Sequence, residues 1–207
     1  MNLMPRPLPF SFYLQDTVSL ARALLGQVLC RRTAEGLTAG IIVETEAYLS
    51  QDDPACHASR GMTRRNAPMF GPPGRAYVYF IYGNHYCFNV TSGAEGVGEA
   101  VLVRALQPLE GVELMLRRRG EAVNLVDLAN GPGKLCRALS IDTALNGHDL
   151  RKDPLWIAAG RLAHFEVVSA PRIGITQATE KLLRFYIKDN NYVSRRASIE
   201  RNPGTGD

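Results

Sequence analysis

Apolar positions in this 207-residue chain fall into short runs of β-branched and aromatic residues, broken by glycine, proline and asparagine. Residues 27–33, the break Ala34-Glu35-Gly36 and residues 37–48 predict a hairpin. Residues 75–82 and 85–90, joined by Gly83-Asn84, predict a second hairpin crowded with aromatics. Further strands are expected at 99–106, 155–160, 165–175 and 183–189. Helical spacing appears in three places. Residues 16–27 have a capping candidate at Asp16 or Thr17 and a stop at Gly26. Residues 108–120 start on Pro108 and close on basic residues that suit a helix C-terminus. Residues 130–139, "NGPGKLCRAL", are a glycine-rich entry into a short helix. Strands and helices do not alternate as βαβ units, so the expected fold is a single α+β domain with a mostly antiparallel sheet and a protruding hairpin.

One strand breaks its own pattern. Ile41, Ile42 and Val43 lead into Glu44-Thr45-Glu46, and side-chain alternation puts Glu44, Glu46 and Tyr48 on one face. A carboxylate leaves water only at high cost unless something pairs with it. The plain reading is a sheet with one wet face; the alternative is a strand that carries a working carboxylate.

Composition narrows the partner. A net charge of +4 and a pI near 9.0 favour an anionic partner, nucleic acid first. No apolar run is long enough for a membrane span, and "MNLMPRPLPFSFYLQ" lacks a signal-peptide pattern. Cys30, Cys56, Cys87 and Cys136 are dispersed, with no C-x-x-C pair, which suggests thiols in a reducing, cytoplasmic setting. Residues 49–74 form a loop long enough to expect it to be either functional or disordered.

Several groups could carry chemistry. Tyr82, at the tip of the aromatic hairpin, is placed for insertion between stacked bases. Arg60, Arg64, Arg65 and Arg75 flank the carboxylate strand and suit phosphates. "GPGKL" puts backbone N–H groups and Lys134 at a helix start, a ready anion site without the spacing of a nucleotide-binding P-loop. Glu44, Glu46 and His57 could make three metal ligands, but at no familiar zinc spacing.

Taken together, "VETEAYL" with His57, "YVYFIYG" with Asn89, "LVRALQPLEG" and "GPGKLCRAL" resemble the alkyladenine (3-methyladenine) DNA glycosylase family, in order from about residue 15 to about residue 190. The resemblance implies a fold related to the C-terminal domain of methionyl-tRNA formyltransferase. It also implies excision of alkylated or deaminated purines from duplex DNA, without a cofactor or metal, by a monomer. The domain would span 15–193, between an N-terminal extension (1–14) and a C-terminal tail (194–207). On this resemblance Glu46 is the general base, and Tyr48 and His57 wall the base pocket. Tyr79 stacks on the opposite face of the flipped base, and Tyr82 fills the gap left in the duplex. Asn89 crowds the amino group of normal guanine, and Arg104 contacts DNA or supports the site. Arg64, Arg65 and Lys134 would hold phosphates. His85 and Gly133 depart from the family pattern, where an aromatic and a serine are familiar.

The resemblance conflicts with the simplest hairpin. A two-residue Gly83-Asn84 turn pairs position 79 with 88 and turns Tyr79 and Asn89 to opposite sides. Both can line one pocket only if the loop is odd-numbered or holds a bulge, so an irregularity is expected between 79 and 89. Two rival functions stand beside the glycosylase: a non-enzymatic nucleic-acid-binding module on the same fold, and a metal-dependent hydrolase using Glu44, Glu46 and His57.

Overall fold

The computed structural model describes residues 6–160, 162 and 164–194; most of the tail set apart at 194–207 lies outside them. The chain enters through helix α1 (Thr17–Ala23), capped where the Asp16 carboxylate accepts the Ser19 N–H at 2.9 Å. Strands β1 (Val28–Thr33) and β2 (Gly36–Tyr48) follow as an antiparallel hairpin. After the long loop come β3 (Ala76–Ile81) and β4 (His85–Thr91), then β5 (Ala100–Glu110) and helices α2 (Val112–Arg119) and α3 (Pro132–Leu139). Short strands β6 (Arg151–Lys152), β7 (Leu155–Ala158), β8 (Val167–Ala170) and β9 (Arg184–Ile187) complete the described elements. Every pairing is antiparallel: the order is β3-β4-β5-β2-β1-β7-β6, and β9 bridges β2 to β8.

β2 lies at the centre, so the wet-face reading of that strand is overturned. It pairs with β5 along one edge and with β1 and then β9 along the other, and Glu44, Thr45, Glu46 and Ala47 have no exposed surface. α1 covers β2, with the Thr45 hydroxyl donating to the Ala21 carbonyl. The main core lies among sheet and helices, with Leu20, Ile42, Phe88, Met115, Leu135 and Phe185 all buried. Leu8 and Tyr13, from the stretch set apart as an N-terminal extension, are buried in this core. A smaller cluster of Cys56, Ala58, Met69, Tyr77 and Ala100 fixes the 49–74 loop on the sheet. Within that loop the buried Asn66 amide donates to the His57 and Gly61 carbonyls. The loop is a folded lid with its own core. All four cysteines are buried thiols.

The helix expected from Pro108 begins later. Pro108 pairs with Gly40 inside β5, the strand runs to Glu110, and Gly111 makes the turn at φ 69°. A Cβ on Gly111 would sit 2.3 Å from the Leu37 carbonyl oxygen, so only glycine allows this close approach. Pairing with the central strand outweighs the helix-start preference of proline.

Candidate active site

The ladder between β2 and β5 holds three register shifts, the last two of opposite sense. Ile42 pairs with Leu106 and Glu44 with Ala105, leaving Val43 extra; Thr45 then pairs with Val103, leaving Arg104 extra. Bulges re-aim side chains, and these aim Arg104 at both carboxylates. Its guanidinium lies 3.4 Å from Glu44 Oε1 and 3.4 Å from Glu46 Oε1. Register then restores a row across the sheet: Tyr77 faces Asn89, Asn89 faces Leu102, and Leu102 faces Glu46. Asn89 and Glu46 therefore share a face, two strand spacings or roughly 10 Å apart.

The hairpin supplies the expected irregularity. Ile81 pairs with His85 and Tyr79 with Cys87, so the loop is the three residues Tyr82-Gly83-Asn84, with Tyr82 at φ 55° and Gly83 at φ 71°. That odd count turns Tyr77, Tyr79, Cys87 and Asn89 to one side.

A cavity of about 560 Å³ opens here, within the range of small-ligand sites. Tyr48, His57, Tyr79, Asn89 and Arg104 line it, with Tyr82 and His85 at the hairpin end. His57 and Tyr79 meet edge to face with ring centroids 4.7 Å apart, and His57 Nδ1 lies 3.0 Å from the Tyr77 hydroxyl. The structure thus groups His57 with Tyr79 rather than with Tyr48. Partial burial, then the charge of Arg65, holds the His57 pKa below its ordinary value. That direction favours the neutral imidazole.

Glu46 sits directly behind the cavity wall. Its Oε1 accepts the Ile173 N–H at 2.8 Å and its Oε2 accepts the Tyr48 hydroxyl at 2.9 Å. Tyr48, Ile173 and Arg104 all line the cavity. The carboxyl is in an ion pair, yet it faces the cleft that the tyrosine hairpin helps to form. Burial raises its pKa above the usual carboxylate value, and Arg104, the Ile173 N–H and the Tyr48 O–H each oppose that rise. A buried carboxyl tuned upward beside a cavity fits a proton acceptor. Glu44 is held by Arg184 at 2.9 Å and by the Ser194 N–H at 2.8 Å, and shares Arg104 with Glu46.

Sequence comparison decides the class. The model of the methylpurine-DNA glycosylase family matches residues 11–191. A protein of Methanoculleus marisnigri is 53% identical over 193 residues, 91% of this chain and 99% of its own length. A Carboxydothermus hydrogenoformans protein is 50% identical over 191 residues, 91% and 99% of the two chains. One from Legionella pneumophila (strain Corby) is 45% identical over 199 residues, 94% and 100%. All three bear the name "Putative 3-methyladenine DNA glycosylase".

The chain belongs to the methylpurine-DNA glycosylase family.

Membership makes it a DNA glycosylase of alkylated purines, an enzyme of base excision repair. In this methylpurine-DNA glycosylase the metal-hydrolase reading fails on geometry. Arg104 occupies the space between the two carboxylates, His57 turns to Tyr77, and no three His, Cys, Asp or Glu groups converge among the described residues. No helix among them is long and apolar enough to cross a membrane.

The basic residues separate into four kinds. Arg64 is exposed on the loop. Arg65 lies 5.0 Å over the Tyr79 ring and donates to the Phe80 carbonyl, so it braces the pocket. Lys134 is engaged by Asp127 and Asn130 at 3.1 and 2.7 Å. Arg104 is buried in the site. At the tip Tyr82 is 80% exposed. His85 rests on Gly133, where an added Cβ would come within 2.9 Å of its ring, so the two departures from the family pattern are in contact.

Sequence reasoning missed Arg172, Asp53, Ile173, Arg184 and Tyr77. Only Tyr77 left a signal, since strand alternation puts it on the face of Tyr79.

Proposed function

We propose that the enzyme flips a damaged purine out of duplex DNA into this cavity and hydrolyses its N-glycosidic bond with Glu46 as general base. One observation carries the reading. A buried carboxyl with a raised pKa shares a sheet face with Asn89 and stands behind the same cavity that Tyr48, His57 and Tyr79 line.

Extruding a nucleotide costs a few kcal/mol of unstacking and unpairing. Stacking on Tyr48 and on the His57–Tyr79 wall recovers about 1–3 kcal/mol per base. Tyr82, exposed at a tight turn, fills the gap left in the duplex. Glu46, as the carboxylate, orients and deprotonates a water that attacks C1′ as the purine departs. A 3- or 7-methylated purine is already cationic and leaves without a general acid. Asn89, anchored through its amide nitrogen to the Tyr77 carbonyl at 3.0 Å, crowds the amino group of normal guanine. Arg64, Arg65 and Lys134 lie beside the phosphate path, Arg65 also serving the wall. No lysine lines the cavity among the described residues, so the product is an abasic site without a lyase step.

The substrate range extends to deaminated purines such as hypoxanthine. The enzyme acts as an intracellular monomer, with a fold related to the formyltransferase C-terminal domain. The test is a panel of duplexes, each with one 3-methyladenine, 7-methylguanine, ethenoadenine or hypoxanthine, assayed with wild type and Glu46→Gln. The expected loss is about 10²–10⁴-fold. Wild-type release of abasic product by Glu46→Gln would assign the general base to another group.

A further inference from the structure

Behind the cavity, and outside it, lies an ion pair that the reaction does not use directly. The Arg172 and Asp53 side chains are fully buried and doubly bonded, Nη1 to Oδ2 at 2.7 Å and Nη2 to Oδ1 at 2.5 Å. Burying two charges is costly, and an apolar pair of the same shape would be as stable or more so. The pair calls for a reason beyond stability.

Its contacts all run to the end of β2. Arg172 Nη1 also donates to the Ala47 carbonyl at 2.9 Å, and its guanidinium carbon lies 4.6 Å over the centre of the Tyr48 ring. Asp53 Oδ2 accepts the Leu49 N–H at 3.0 Å. Residues 47, 48 and 49 are thus each gripped by this one pair. The next residue in the chain, Ile173, gives its N–H to Glu46 Oε1, and Tyr48 gives its O–H to Glu46 Oε2. Both hydrogen bonds on the Glu46 carboxyl therefore come from groups that Arg172 anchors. A planar guanidinium can lie flat on a ring while its in-plane N–H groups reach a carboxylate and a carbonyl; an ammonium cannot do both.

We propose that Arg172, locked onto Asp53, is a positioning residue that fixes Tyr48 and the Ile173 N–H against Glu46, and so governs the chemical step without touching the substrate. This rests on Glu46 being the general base. Loosening Arg172 weakens two hydrogen bonds that favour the carboxylate, so the proton stays on Glu46 to higher pH.

The experiment is single-turnover excision, with enzyme in excess, from a duplex holding one hypoxanthine, followed against pH. The variants are Arg172→Lys, Asp53→Asn, Tyr48→Phe, the Arg172→Lys/Tyr48→Phe double variant and Glu46→Gln, each rate normalised to folded protein. Arg172→Lys and Asp53→Asn should lose about 10–100-fold at neutral pH, the scale of lost support behind a reacting group. Their acid limbs should move to higher pH, and affinity for a lesion-free duplex should stay within about twofold, since neither side chain lines the cavity. In the Tyr48→Phe background Arg172→Lys should cost less than alone, because part of its effect runs through the Tyr48 hydroxyl and only the part through the Ile173 N–H remains. A normalised Arg172→Lys profile that superimposes on wild type, or effects that multiply in the double variant, overturns the proposal. Tyr48→Phe deletes a single oxygen, so its acid limb decides the matter even if the other variants fold poorly: no upward shift sinks it. A fully active Glu46→Gln would instead sink the general-base reading beneath it.

Discussion

The two ends of the cavity are built on opposite principles. At the sheet end, Glu44, Glu46, Arg104 and Arg184 interlock behind the surface, with Asp53 and Arg172 beside them. At the hairpin end, Tyr82 stands on a three-residue loop, 80% exposed, and Gly83 beneath it has open space around it. The first region is over-determined, since each charged group is held by more than one partner. The second has almost nothing to hold it. A reacting carboxyl needs fixed geometry before the substrate arrives, whereas a residue that enters a duplex meets its packing partners only in the complex. Stability and catalysis should be coupled at one end of the cavity and separable at the other.

The largest effect should come from breaking the interlocked end. Arg104→Met leaves two buried carboxylates short of a cation, and should lower unfolding free energy by about 3–5 kcal/mol in a urea titration while abolishing excision. A variant as stable as wild type would show that the carboxylates find partners elsewhere. Next, Tyr82→Ala should lower kcat/KM on duplex substrates by about 5–150-fold, equivalent to about 1–3 kcal/mol of lost stacking. Its unfolding free energy should stay within about 0.5 kcal/mol of wild type. A large loss of stability would mean that the tip packs on the body. The smallest effect belongs to Gly133→Ser. The new Cβ falls 2.9 Å from the His85 ring, but that side chain is exposed and can rotate away. Thermal melting should place the cost within about 0.5 kcal/mol.

The same contrast explains what could be read from the chain. Strand alternation marked Glu44, Glu46 and Tyr48 as an anomaly, and placing Tyr79 and Asn89 in one pocket called for an odd loop or a bulge between them; the odd loop Tyr82-Gly83-Asn84 is what occurs. Both are local properties of one strand or one turn. The paired bulges at Val43 and Arg104 arise from two strands far apart in sequence, and no local pattern announces them. Asp53 and Arg172 are 119 residues apart; alone, Asp53 looks like an ordinary charge in a loop and Arg172 like one at the end of an expected strand. Pro108 misled for a related reason: its helix-start preference is local, while the pairing that keeps it in β5 is not. Residues that line the cavity were therefore legible one by one, and the network behind them was not.

The most direct measurement of the central claim is the pH dependence of single-turnover excision from a hypoxanthine duplex, wild type beside Glu46→Gln. Because burial raises the Glu46 pKa, the carboxylate needed as base is lost at a pH above the ordinary value of 4.5. The wild-type rate should fall about tenfold per pH unit below that raised value. Glu46→Gln should be slow and flat across the same range. An acid limb that persists unchanged in Glu46→Gln would assign the titration to another group and remove Glu46 from the reaction.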